Sequence, residues 1–276
     1  MKYRLTEEIR EFPGRILHRI EAVESFADVN AGEKGGWIEN ESNLSQSGDA
    51  WIYYNAMVYS NAVVYGNAKV CDNAIIYGNA RVFGNAMVFG NAWVLDEAEV
   101  YDNARVFGNA VIFDKAEVYD NAKVFDNARV RGNAEVSGNA EVFNNAKLYS
   151  DVKVYGNAKV HGNAMVCNKA MVLGNAKVHD KAEVYGSVRV HGNAEIFGNA
   201  KVHDKADYIV FKNFWSSGRY FTWTRSNDKW KVGCFHGSGE ELIKKAYADS
   251  EKSGRYYETF VKFVEMLKVI EKGGEE

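Results

Sequence analysis

The chain has 276 residues, 46% of them hydrophobic and 26% charged, with a net charge of −3 and a pI near 6.1. That length supports a sizeable core, and the composition argues against a disordered polymer. The small acidic excess argues against general binding to nucleic acid or to an anionic membrane. No run of about 18 apolar residues occurs, and the start MKYRLTEEIRE lacks the apolar stretch of a secretory signal. Three scattered cysteines, Cys71, Cys167 and Cys234, fit free thiols in a reducing compartment. The expected location is therefore cytoplasmic, with no membrane partner.

In chain order, residues 1–36 predict a small N-terminal cap. Lys2–Ile9 and Arg15–Val23 alternate like strands about Pro13-Gly14, and Glu24–Val29 reads as a short helical turn. The segment 37–206 is dominated by a repeat. From Ala50 to Ala206 an alanine, or a valine at 152 and 188, returns every six residues without insertion, and an apolar residue follows two later, from Ile52 and Val58 to Val202. A fixed period of this kind predicts a solenoid. The unit A-x-V-Φ-G/D-N, with Φ mostly Tyr or Phe, alternates like a strand, with Ala and Val on one face. The G-N or D-N pair is turn chemistry. Interior strands need every ladder N–H, so proline is confined to Pro13 in a chain of a size that usually carries about 5%.

Six of the eight corners that lack Asn, namely Glu97, Lys115, Asp151, Lys169, Ser187 and Lys205, are separated by multiples of 18. Val152 and Val188 follow that same corner. The coil is therefore three hexapeptides long, and the run predicts about nine three-sided coils, a prism about 43 Å long at about 4.8 Å per strand.

The units V-Y-G-N-A-K (Val64–Lys69), I-Y-G-N-A-R (Ile76–Arg81) and V-F-G-N-A-M (Val82–Met87) resemble those of the hexapeptide-repeat superfamily. The resemblance implies a left-handed parallel β-helix; the general crossover rule alone would favour the right hand. Gly35–Ala56 is similar to the leading segment of bacterial and prophage-encoded hexapeptide proteins, some labelled acyltransferases. Two functions follow from the likeness: acetyl-coenzyme A-dependent acyl transfer, or a phage-encoded protein that blocks a host defence factor. Acyltransferases of the superfamily combine a catalytic histidine with a loop extruded over the coenzyme A arm. No loop interrupts Ala50–Ala206 and no motif around any histidine matches, so no catalytic residue is carried over and no cofactor is expected. Gamma-class carbonic anhydrases hold zinc with histidines of neighbouring coils. Here His161 and His179 share a column one coil apart and form a weak candidate pair, but their column neighbours Phe143 and Phe197 supply no ligand. The other reading of the pair is a stacked outer ring ladder, with His191 and His203 on the other two faces.

Residues 207–276 predict a β-β-β-α-α module, either a cap or a recognition domain. The expected strands are Tyr208–Phe214, Tyr220–Arg225 and Trp230–Phe235. Ser238 and Glu241 form a capping-box pattern before a helix at Glu240–Asp249, and a second helix at Arg255–Lys272 puts Tyr256, Phe260, Val264, Leu267 and Ile270 on one face. Trp223 and Trp230, with Phe221, Arg225 and Lys229, either stack bases or sugars or build the module's core. Cys234 and His236 are expected on one face of a strand.

The strongest signal outside the core is a column of outward residues on one face: Met57, Ile75, Trp93 and Val111, flanked by the Φ residues Tyr59, Tyr77, Leu95 and Phe113. Lower in the same column the face turns mostly polar, with Arg129, Lys147 and Glu183 broken only by Met165. On the other faces the outward positions carry more charge, with Trp51, Val63 and Met87 as apolar exceptions. Glu99, Glu117 and Glu135 stack in one column and suggest a weak DNA-mimic variant. An apolar patch of several hundred Å² marks an interaction site unless a terminal segment folds back over it. The reading is a non-enzymatic protein-binding scaffold that associates with a protein partner, with copies of itself, or both, and the alternative is acyl transfer.

Overall fold

The computed structural model describes residues 1–12, 14–215 and 218–273; Pro13, at the expected turn, and residues 274–276 of the C-terminal module lie outside them. Short strands, two residues long except for the four-residue Lys147–Ser150 and Met165–Asn168, recur every six residues from Trp51–Ile52 to Lys201–Val202. Each pairs in parallel with the strand 18 residues on, as Trp93 does with Val111 and Val94 with Ile112. The result is a parallel β-solenoid of about nine turns whose three faces belong to sheets of twelve, nine and eight strands. Every turn donates to the next: the Trp93 N–H reaches the Ala110 carbonyl at 2.9 Å and the Leu95 N–H that of Ile112 at 3.0 Å. Inside, the Ala and Val columns form one continuous core with no solvent exposure over most of its length.

The corners explain the choice between Gly and Asp. This position needs a positive φ, +76° at Gly78, where an added Cβ would lie 2.7 Å from the Asp96 nitrogen. Aspartate occupies the equivalent position at φ +60° in Asp72 and Asp180. Its Oδ2 accepts the N–H of the residue one turn on, Gly90 at 2.9 Å and Gly198 at 3.0 Å. A charge-assisted hydrogen bond of this kind offsets the cost of a left-handed backbone. The Asn side chains form a second ladder: Asn91 donates to Asn109 at 3.2 Å, Asn109 to Asn127 at 3.0 Å and Asn127 to Asn145 at 3.2 Å. At the divergent corner Lys115 pairs with Glu97 at 3.4 Å and Asn133 donates to Asp151 at 2.7 Å.

At the N-terminal end, Tyr3–Phe12 and Arg15–Ala22 form an antiparallel hairpin. Lys34–Ile38 pairs antiparallel with the second strand of that hairpin and parallel with Met57–Val58, so the hairpin extends one solenoid face. Trp37 pairs with Met57 and Leu44 with Val64, which makes the first turn two residues longer than the rest. The helical turn expected at Glu24–Val29 is instead a tight β-turn in which Phe26 and Val29 exchange both backbone hydrogen bonds across Ala27, at φ +43°. That turn swings Phe26 against Trp51 at 5.4 Å, while Tyr3 meets the same indole edge-on at 6.1 Å. Trp51, outward by its position in the repeat, is therefore fully buried as a plug under the hairpin. Beside it the Lys2 ammonium donates to the Gly48 and Ala50 carbonyls at 3.1 and 2.9 Å. Burial pulls its pKa down to about 8.

At the other end, Tyr208–Lys212, Tyr220–Thr224, Lys229–Val232 and Phe235–Gly237 make a four-stranded antiparallel sheet. The single strand expected at Trp230–Phe235 is split because Gly233, at φ +57°, turns the chain back. Cys234 sits exposed in that turn and not on the strand face of His236. Helix α1 is Gly239–Asp249, with the Ser238–Glu241 capping box in place, and α2 is Glu251–Gly273. α2 packs inward through Gly254, Tyr257, Phe260, Val261 and Val264; of the expected face Phe260 and Val264 join the module core and Tyr256 stacks on Trp215 at 4.3 Å, but Ile270 is 68% exposed. The short link at Ser250 sets this rotation, because it brings Gly254 under the Tyr247 ring, where a Cβ would lie 2.2 Å from it. No helix among the described residues is long and apolar enough to cross a membrane.

Candidate functional site

The repeat places the eight ridge residues as a register of parallel pairs, Met57 with Ile75, Ile75 with Trp93 and Trp93 with Val111. Their exposure is unequal. The hairpin folds over the first part of the column: Leu17, Trp37 and Tyr59 are buried together, and Phe12, Met57, Ile75 and Tyr77 pack around them. Phe12 meets Tyr59 at 5.5 Å, and the Arg15 guanidinium lies 5.5 Å over the same ring while pairing with Glu39 at 2.7 Å. Burial pushes the Tyr59 phenol up from its ordinary pKa. The terminal segment thus covers part of the patch. Past the hairpin edge the column is open: Trp93 is 43% exposed, and Leu95, Val111 and Phe113 are half-buried around it. Tyr77 stacks on Tyr59 at 5.2 Å and links the covered part to the open part. Below the ridge Arg129 and Lys147 continue the same column.

The other candidates resolve differently. Trp223 and Trp230 are 2% and 1% exposed in the module's own core, with Phe221, Val232, Leu242, Val261 and Val264. The Trp223 Nε1 donates to Asp228 at 2.8 Å and the Lys268 ammonium lies 5.4 Å over its ring. Neither indole can stack a base or sugar, and Arg225 and Lys229, both exposed, have no aromatic platform there. Burying the large rings is what gives so small a sheet a core.

Glu99, Glu117 and Glu135 do stack in register, but the ends of the column are neutralised. Arg81 pairs with Glu99 at 2.8 Å, Lys153 with Glu135 at 2.8 Å, and the Tyr101 hydroxyl donates to Glu117 at 2.8 Å.

His161 and His179 lie ring on ring at 4.9 Å, below Phe89, Phe107, Phe125 and Phe143 in one stack. The nitrogens of His179 face Glu195 at 3.0 Å and Asp180 at 3.3 Å. Burial, then the neighbouring His179, lowers the pKa of His161. Among the described residues no group of three or more His, Cys, Asp or Glu is placed to hold a metal ion.

Sequence reasoning missed one arrangement. His203 Nδ1 is 2.5 Å from Asp207 Oδ2, and the backbone N–H groups of His203 and Asp204 donate to that same oxygen at 2.8 and 2.9 Å. The signal was present as Asp204-x-x-Asp207, a reciprocal cap on the 3-10 turn Lys205–Asp207 directly after the last repeat.

A model of the YdcK β-solenoid repeat matches residues 80–96 and 98–113. Over 60 residues the chain is 45% identical to a protein of Escherichia coli (strain K12) named uncharacterized acetyltransferase YdcK, a match covering 19% of this chain and 18% of that protein.

Proposed function

We propose that this chain, a β-solenoid of the hexapeptide-repeat type, is a protein-binding scaffold whose exposed ridge packs against a second copy of itself. The observation that carries the reading is Trp93, 43% exposed on a rigid parallel sheet amid Leu95, Val111 and Phe113. Tryptophan at the centre of an apolar patch is the residue type most often found as an energetic hot spot, and a twofold contact requires a self-complementary surface. Charge and shape favour such a partner. If Trp93 of one copy meets Val111 of the other, the hairpin-covered level of one faces Arg129 and Lys147 of the other. The hairpin exposes Ile9 at 50% and Ile16 at 52%, beside the acidic Glu7 and Glu11. Among the described residues none of Glu7, Glu11, Arg129 and Lys147 has an ion pair at present.

Trp93→Glu tests this. Its side chain takes no part in the backbone ladder, so circular dichroism should stay unchanged while light scattering shows the mass falling from dimer to monomer. A wild-type chain that is already monomeric at about micromolar concentration, or a mutant that stays dimeric, overturns self-association through the ridge. Capture of a host protein that Trp93→Glu abolishes, the outcome suggested by prophage-encoded look-alikes, would overturn the second copy as occupant.

A further inference from the structure

Between the last turn of the solenoid and the C-terminal module lies a cleft of about 1150 Å³. It is far along the chain from the ridge and independent of it. Leu173, Val188, Ile209 and Tyr220 give it an apolar floor, and Arg189, His191 and Lys205 stand along it. Neither Arg189 nor Lys205 has an ion pair among the described residues. Asp204 also lines the cleft, but its Oδ1 is taken by the Ala206 N–H at 3.0 Å.

His203 opens into this space, with 60% of its side chain exposed, while Asp207 behind it is 9% exposed. Burial raises the Asp207 pKa, but the His203 N–H, the His203 ring and the Asp204 N–H outweigh it and hold the carboxyl below its ordinary value. An ionised Asp207 demands the tautomer with hydrogen on Nδ1. That leaves the Nε2 lone pair, which has no hydrogen bond among the described residues, as a proton acceptor. An imidazole that lines a cleft and is oriented by a buried carboxylate is the arrangement of a general base.

We propose that the cleft is a hydrolytic site for small, apolar carboxylic esters, with His203 as the general base and Asp207 as its positioning residue. The apolar floor suits an acyl or aryl group. The cations suit the carbonyl oxygen as it becomes negative. In the step, Nε2 takes a proton from water as the water oxygen bonds to the ester carbon. The carbon–oxygen bond to the alcohol then breaks, and the proton on Nε2 passes to the departing alkoxide. Ester and water become acid and alcohol, and the Nδ1 hydrogen stays bonded to Asp207 throughout.

The probes are p-nitrophenyl acetate and p-nitrophenyl butyrate with the full-length protein. Wild type should release p-nitrophenolate well above buffer, and His203→Ala should lower that excess by about 100-fold or more. Asp207→Asn should lower kcat with little change in KM, because Asn cannot accept the Nδ1 hydrogen as a carboxylate does. His236→Ala, exposed and outside the cleft, should leave the rate unchanged. Nitrogen NMR of the wild type gives a readout independent of folding in the variants, and should show hydrogen on Nδ1 of His203. A His203→Ala protein with native circular dichroism and wild-type turnover overturns the proposal, as does hydrogen on Nε2 in the resting protein.

Discussion

The two ends of the solenoid are closed in different ways. At the N-terminus closure is by main chain and shared core: the hairpin extends a sheet, and Tyr3, Ile20, Ile38 and Trp51 belong to the same buried cluster as the Ala and Val columns. At the C-terminus closure is by side chains: Tyr208 and Val210 pack against the solenoid core, while the rest of the module packs on a core of its own. Thr222 Oγ1 accepts the Glu195 N–H at 3.0 Å, Ser226 Oγ accepts the Lys201 N–H at 2.6 Å, and the Tyr208 hydroxyl donates to the Arg189 carbonyl at 2.7 Å. Lys231 adds an ion pair to Glu195 at 3.5 Å. Behind these contacts the module keeps its own aromatic core. An open sheet edge can thus be satisfied by more strand or by hydroxyl groups that mimic one. The first choice fuses the cap to the rod, and the second lets cap and rod lose structure separately.

Four substitutions sharpen or break this contrast, in decreasing order of effect. Val124→Asp buries a charge in the narrow common core and should cost on the order of 5 kcal/mol or more. Denaturant titration should show the solenoid and the hairpin destabilised together; an unchanged midpoint would mean the inward face is misassigned. Trp51→Ala and Trp230→Ala each remove a fully buried indole, at about 3–5 kcal/mol. The first should lower the main transition of the rod. The second should split off an earlier transition while the strand signal in circular dichroism persists. A single transition in both variants would unite the two cores. The smallest effect concerns Lys2. Its pKa is near 8 in the folded chain against an ordinary 10.5, so the unfolded state binds more protons between those values. The penalty for its charge is full below about pH 8 and is relieved as pH rises toward 10.5. Relative to Lys2→Met, the wild type should therefore gain about 1–2 kcal/mol between pH 7.5 and 9.5. A pH-independent difference would show that Lys2 is not buried against the Gly48 and Ala50 carbonyls.

What could be read from residues alone was whatever repeats. The strands, the inward Ala and Val, the stacked rings and the divergent corner at Glu97 and Lys115 follow from a six-residue register and an 18-residue beat. Non-repeating parts were less legible. Nothing in the alternation of Tyr3–Phe12 says which face the hairpin will cover, so the loss of Met57 and Tyr59 from the free ridge was invisible. Trp51 had the same address in the repeat as outward residues elsewhere, and only the turn at Phe26–Val29 buries it. In α2 the spacing placed Phe260 and Val264 inward, and the close approach of Gly254 to Tyr247 is what adds Tyr257 and Val261 to that face and leaves Ile270 outside. The ridge around Trp93 was legible because it is periodic; the His203–Asp207 pair was not, because it lies just past the point where the period stops.

The 18-residue register also bears on how such a chain can change over generations. A duplication or deletion of 18 consecutive residues, for instance 117–134, restores every column in phase and alters only length, by about 4.8 Å. A change of six residues keeps the strands but turns everything downstream by one face, so that the cleft at His203 would look out in a different direction from Trp93. Length is therefore a nearly neutral, heritable dial for this molecule, while the angle between its two surfaces moves in three discrete steps.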